Sequence, residues 1–164
     1  MKGDPGAALH PSAQRVADTL AAAGVRGGVR EFEVTTKTSQ DAARALGCEV
    51  VAIASTLVFM ADGSPIVVIK SGAHRVDLDH LARQLGASEV RQADAREVRA
   101  ATGQPIGGVA PVNWPTSPPV FIDTTLAALG EIWSAAGTPN AVFPTTYDEL
   151  RRLTGATPVA VVAG

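Results

Sequence analysis

The stretch Thr102-Gly103-Gln104-Pro105-Ile106-Gly107-Gly108-Val109-Ala110-Pro111-Val112-Asn113-Trp114-Pro115 carries three glycines, three prolines and no charge. Adjacent glycines let backbone N–H groups approach a ligand closely, and flanking prolines stiffen the loop so that those donors stay aimed. A rigid loop of this kind suits an ester oxygen that gains negative charge during attack, with the amides of Gly107, Gly108 and Val109 as donors. The same composition also fits a plain connector between a helix and a strand. Trp114, inside the loop, has a flat face on which an amino-acid side chain or an adenine can stack.

A second set of polar residues sits on a hairpin. Two apolar runs, from Val50 to Met60 and from Pro65 to Lys70, flank Asp62-Gly63, the pair that a type I′ turn prefers. If Asp62 and Gly63 form that two-residue turn, Ala61 faces Ser64. Counting back then places Ser55 opposite Lys70 on one sheet face, and a one-residue slip would send Lys70 to the other. Lys70 then either projects its ammonium beside Ser55 or snorkels to solvent. Asp123 ends an apolar strand, where it orients a substrate or water, or caps the helix that begins at Thr124. Thr56 and His74 read as polar groups at a pocket edge or as satisfied structural ones, and Trp133 as core.

The elements that hold these residues are marked by caps. Residues 12–23 predict a first helix with Ser12 as N-cap and Gly24 as stop, followed by a short strand from Val29 to Val34. Thr38-Ser39-Gln40-Asp41, Asp94-Ala95-Arg96-Glu97 and Thr146-Tyr147-Asp148-Glu149 have capping-box spacing, and Asp77 caps a helix carrying Leu78, Leu81 and Leu85. Further strands are expected near Ser88 to Arg91, Val120 to Asp123, Ile132 to Ala135, Ala141 to Phe143 and Val159 to Val162. Short helices alternate irregularly with hairpins, so the expected fold class is α+β. We expect a mixed, largely antiparallel, curled sheet of six to seven strands with helices packed outside. Residues 1–11 read as a loose N-terminal tail and 12–164 as a single domain.

The totals exclude several functions. With one cysteine, Cys48, the 164-residue chain forms no internal disulfide, and its start lacks the apolar stretch of a signal peptide, so a cytoplasmic setting is expected. No apolar run approaches the ~20 residues that span a bilayer. A net charge of −2 argues against a protein that coats long nucleic acid such as DNA, and is compatible with gripping the end of an RNA. Arg91, Arg96, Arg99, Arg151 and Arg152 could supply a local positive rim, or could solvate helix faces. His10, His74 and His80 lack metal-ligand spacing, so no metal is expected. Nucleophile elbow, phosphate loop and dinucleotide fingerprint are all missing from the sequence.

Several segments, taken in order, resemble the YbaK/EbsC family of free-standing aminoacyl-tRNA deacylases, relatives of the editing domain in bacterial prolyl-tRNA synthetases. They are Thr38-Ser39-Gln40-Asp41-Ala42-Ala43, Ser55-Thr56-Leu57-Val58-Phe59, Arg75-Val76-Asp77-Leu78, Gly107-Gly108-Val109-Ala110-Pro111, Val120-Phe121-Ile122-Asp123 and Arg152-Leu153-Thr154-Gly155, so that the likeness runs from Arg15 to Gly155. Gly107 to Pro111 is similar to the family's substrate-binding glycine–proline loop. The resemblance implies the editing-domain fold and a cofactor-free hydrolysis of the ester joining a small wrong amino acid, such as alanine, cysteine or serine, to the 3′-terminal adenosine of a tRNA. It implies the tRNA acceptor end as partner, a synthetase as a second one, and the loop residues Ala110 and Pro111 and the Ser55 position as substrate contacts, to which the residue readings above add Thr56, Lys70, Trp114 and Asp123 as candidates. Family members commonly carry a lysine where this chain has Ser55, and Lys70 supplies that charge if its ammonium projects beside Ser55 rather than into solvent. A module that binds aminoacyl-tRNA or a small ligand without hydrolysing it is the alternative reading.

Overall fold

A computed structural model describes residues 8–36 and 38–163, and the expected tail falls largely on residues 1–7, outside the described residues. Five helices, α1 (Pro11–Ala22), α2 (Ser39–Leu46), α3 (Leu78–Leu85), α4 (Ala95–Thr102) and α5 (Tyr147–Thr154), surround one sheet. Its strands are β1 (Arg30–Glu31), β2 (Ile53–Ala61), β3 (Ser64–Ser71), β4 (Val90–Gln92), β5 (Val120–Asp123), β6 (Ile132–Ala135), β7 (Ala141–Thr145) and β8 (Thr157–Val159). The α+β class and the mixed, mostly antiparallel sheet are as expected. Among the described residues the sheet has eight strands rather than six or seven, because every strand segment expected from the sequence, the short β1 and β4 included, pairs into it.

The caps that the sequence advertises are present. Thr38, Asp77, Asp94 and Thr146 each accept the third backbone N–H that follows, and Asp94 with Glu97 forms a reciprocal capping box. The first helix differs. His10 rather than Ser12 is its N-cap, since Pro11 occupies the first helical position, where its missing N–H is harmless, and the His10 ring accepts from the Ser12 amide. Residues Val50–Ala52 form a 3-10 turn before β2, the first strand shrinks to Arg30–Glu31, and the last one sits earlier than expected, at Thr157–Val159.

The hairpin register is the one counted from the turn. Asp62 and Gly63 have φ of 48° and 83°, as type I′ demands, Ala61 pairs with Ser64, and Ser55 pairs with Lys70. Alternation then separates the two faces of the hairpin. Ala54, Val58, Val67 and Ile69 enter a core shared with Val98, Val109 and Ile122. Phe59, Ile66 and Val68 pack on the opposite side against Leu81 of α3.

Strand β2 is also where the sheet splits. On the edge away from β3, its first residues, Ile53 and Ala54, pair parallel with Trp133 and Ser134 of β6. Its last, Phe59 to Ala61, pair antiparallel with β4. Between those two partners, Ser55, Thr56 and Leu57 have no strand neighbour on that edge among the described residues. The glycine–proline loop lies over this gap.

Candidate active site

The loop's shape comes from a turn and a strut. Pro105 to Gly108 form a β-turn closed by the Gly108 N–H donating to the Pro105 carbonyl at 2.9 Å, with Gly107 at φ 83°, the positive value that a type II turn needs at its third residue. Gln104, buried beside it, accepts the Ala110 N–H through Oε1 at 2.7 Å and donates through Nε2 to the Val112 carbonyl at 2.9 Å. Gln104 thus does for the loop what a short strand would do, and the sequence reading passed it over.

These bonds decide which amides are free. Gly108 and Ala110 spend their N–H groups inside the loop, so the expected donor role of Gly108 is corrected. Gly107 and Val109 keep theirs, with no acceptor among the described residues. Gly108 serves packing instead: a Cβ there would sit 2.5 Å from the Thr138 carbonyl carbon and 2.8 Å from the Pro139 nitrogen.

Gly107 and Val109, which carry the two free amides, line a cavity of about 220 Å³ that wraps the unpaired edge of β2. Its walls come from Thr36, Thr38, Ser39 and Ala42 on one side, from Ile53 to Leu57 and Lys70 along the hairpin, and from Trp133, Ser134, Ala135 and Val142 on the other, closed by Gly107 and Val109. Ser55 and Lys70 thus line the same cavity as Gly107 and Val109. The Ser55 hydroxyl is 2.9 Å from that of Ser39 at the start of α2. Thr56, only 6% exposed, lines this cavity and an adjoining apolar one of about 140 Å³, and its Oγ1 has no hydrogen-bond partner among the described residues. Leaving a buried hydroxyl unpaired costs about 1–3 kcal/mol, which marks it as a group held for something other than stability.

Lys70 is half-buried. Its ammonium donates to the His74 carbonyl at 2.7 Å and to the Ser71 carbonyl at 3.2 Å, leaving one of the three ammonium donors free. Burial pushes its pKa below the usual lysine range, opposed by the nearby Asp123 carboxylate.

Other expected contacts are not brought to the cavity. Trp114 turns away: its Nε1 donates to the Ala110 carbonyl at 2.8 Å, and with Pro111 it lines a separate cavity beside Asn113 and Val120. Ala110 is fully buried against α1, in a cluster with Val16 and Leu20. Asp123, 1% exposed, acts as a hub: Oδ1 accepts from the Thr125 amide at 2.9 Å, and Oδ2 from the Ser71 amide and the His74 Nδ1, each at 3.0 Å. Its cap role is therefore real, and it reaches the cavities only through His74 and Lys70.

Trp133, expected in the core, is buried at 8% yet forms a cavity wall, with the Arg30 guanidinium 4.8 Å from its ring centroid. The arginines expected to form a rim serve structure where their bonds are defined: Arg91 pairs with Glu97 at 2.8 Å, and Arg152 donates to the Ala23 carbonyl. Cys48 is a free thiol whose pKa burial raises, which makes it a poorer nucleophile. Among the described residues no cluster of metal-ligating side chains exists, and no helix is long and apolar enough to cross a membrane.

Known proteins share this fold and parts of this sequence. A solved structure described as that of a candidate trans-editing enzyme for prolyl-tRNA synthetase superposes with a TM-score of 0.88 at 40% identity, covering 96% of this chain and 100% of the other. Protein YwhH of Bacillus subtilis (strain 168) is 30% identical over 123 residues, 74% of this chain and 78% of its own length. A proline–tRNA ligase of Nitratidesulfovibrio vulgaris (strain DP4) is 33% identical over 89 residues, which are 54% of this chain and 16% of the ligase. The model of the aminoacyl-tRNA editing domain matches residues 33–153, which include the split sheet edge, the hairpin and the glycine–proline loop, and the chain belongs to that family.

Proposed function

We propose that this protein is a trans-acting aminoacyl-tRNA deacylase that removes a small amino acid, such as alanine, cysteine or serine, from the 3′-terminal adenosine of a mischarged tRNA. The observation that carries the reading is that Gly107 and Val109, whose amides have no acceptor among the described residues, line a cavity that holds no carboxylate and only one charged group, Lys70, among its described walls. A cavity of about 220 Å³ suits a small aminoacyl group and restricts larger ones. Selection by size is needed at a second site because one methylene is worth only about 1–3 kcal/mol at a first.

In this reading water attacks the ester carbonyl carbon. The carbonyl oxygen becomes an oxyanion held by the Gly107 and Val109 amides, each contributing about 3 kcal/mol when aimed at it. The C–O bond to the ribose then breaks, and the proton lost by the water ends on the departing ribose oxygen, with the vicinal hydroxyl as the nearest relay. No cofactor enters. Lys70 and Ser55 hold the nucleoside side, and the Thr56 hydroxyl takes a polar group of the aminoacyl moiety. A synthetase, the second expected partner, would gain fidelity from it.

Single-turnover assays with a panel of mischarged tRNAs test the proposal. The expected result is hydrolysis of at least one small aminoacyl-tRNA well above the buffer rate. Binding of one without hydrolysis of any would favour the non-catalytic module.

Thr56 offers a sharper check. Thr56→Val removes a hydroxyl that has no partner among the described residues and keeps the shape, so unfolding by urea should show unchanged or raised stability, by about 1 kcal/mol. Hydrolysis should nonetheless fall about tenfold, and Thr56→Ser should restore most of it.

A further inference from the structure

A second cavity, of about 380 Å³, adjoins the first across Ser39, Leu57 and Lys70, which line both. Its chemistry is different. Lys70, His74 and Arg75 line it together with Gln40 and Gln92, and no carboxylate does so among the described residues. Arg75 is exposed, with no ion pair or hydrogen bond among the described residues, so its guanidinium is free to meet a ligand. His74 is held by the buried Asp123 through Nδ1, which leaves Nε2 as the ring atom open to a ligand.

We infer that this second cavity is the subsite for the phosphodiester on the 5′ side of the aminoacylated nucleoside, gripped by Arg75, His74 and the remaining donor of Lys70. The inference rests on the deacylase reading for the identity of the nucleic acid and goes beyond it in assigning the subsite. A 3′-terminal nucleoside carries its ester and its phosphodiester on opposite sides of one ribose. The two cavities repeat that division, one nearly neutral and one cationic, with Lys70 on the boundary between them. An arginine and a lysine around an anion also match how single-stranded nucleic acid is held without reading sequence.

The test compares substrates with and without that phosphodiester. For Arg75→Ala and His74→Gln, KM for the mischarged tRNA should rise about tenfold with kcat within twofold. Hydrolysis of the corresponding aminoacyl-adenosine, which has no 5′ phosphate, should not change. Binding of an uncharged CCA-ended RNA hairpin, followed by fluorescence anisotropy, should weaken in parallel, and Arg75→Ala should reduce its salt slope by about 0.7, the value for one phosphate contact on a single strand.

Equal losses on both substrates, or unchanged RNA binding in both variants, would overturn the subsite while leaving the deacylase intact. Arginine-dependent RNA binding by a protein that hydrolyses no ester would uphold the subsite and overturn the activity.

Discussion

Gly107→Ala should slow deacylation by about 100-fold or more while leaving a folded protein. At φ 83° the added Cβ meets its own backbone, a cost of about 1–2 kcal/mol, and relieving it turns the Gly107 amide from the direction that the proposed mechanism needs. Losing one well-aimed oxyanion donor costs about 100- to 1,000-fold in rate. The neighbouring glycine should behave differently. Gly108→Ala forces a Cβ to within 2.5 Å of the Thr138 backbone, and that backbone must move.

Its main effect should therefore be on stability, a lowered urea midpoint, with hydrolysis lost because the loop lifts off residues 138 and 139. Single-turnover rates and urea unfolding on the same preparations separate the two. Wild-type hydrolysis by a folded Gly107→Ala protein would remove the amides from the mechanism.

The second large effect concerns where the cation comes from. Ser55 and Lys70 are cross-strand partners on one face, and Cβ atoms of such pairs lie about 4.5–5.5 Å apart, within the reach of a four-carbon stem. Lys70→Ser should reduce hydrolysis about 10- to 100-fold, the loss expected for one hydrogen bond from a charged donor. Moving the lysine across the hairpin, in Ser55→Lys combined with Lys70→Ser, should recover activity to within about fivefold of the wild type.

Ser55→Lys alone places two ammonium groups face to face in a partly buried site and should lower stability. The four proteins form a double-mutant cycle, and additive effects within it would show that the two positions do not share one role. Unchanged hydrolysis in Lys70→Ser would sink the cross-strand idea.

Much of the fold was legible because its punctuation is local. Thr38, Asp77, Asp94 and Thr146 announce their helices through a side chain and an amide three residues on. Asp62-Gly63 fixes the hairpin register, and with it the Ser55–Lys70 pairing, within two residues of chain. What sequence could not give is set by distant partners. The gap along β2 exists because β6 and β4 pair with opposite ends of it, and both arrive from far along the chain.

The loop shows the same division between local and distant information. Its turn was readable from its glycines and prolines, whereas the spending of the Ala110 amide on Gln104 depends on a side chain folding back over six residues. Trp114 failed as a substrate contact for a related reason: its indole N–H is drawn to the Ala110 carbonyl on the far side of the loop. Trp133 and Thr36 became cavity walls only once β6 and the segment before α2 were placed beside β2.

The most direct measurement of the central claim is an amide-detected NMR titration with an amide-linked 3′-alanyl-adenosine that cannot be hydrolysed. The account predicts saturable shifts of the Gly107 and Val109 N–H resonances, larger than those of Gly108 and Ala110, whose protons are already bonded within the protein. Saturable binding that leaves Gly107 and Val109 unmoved would contradict it.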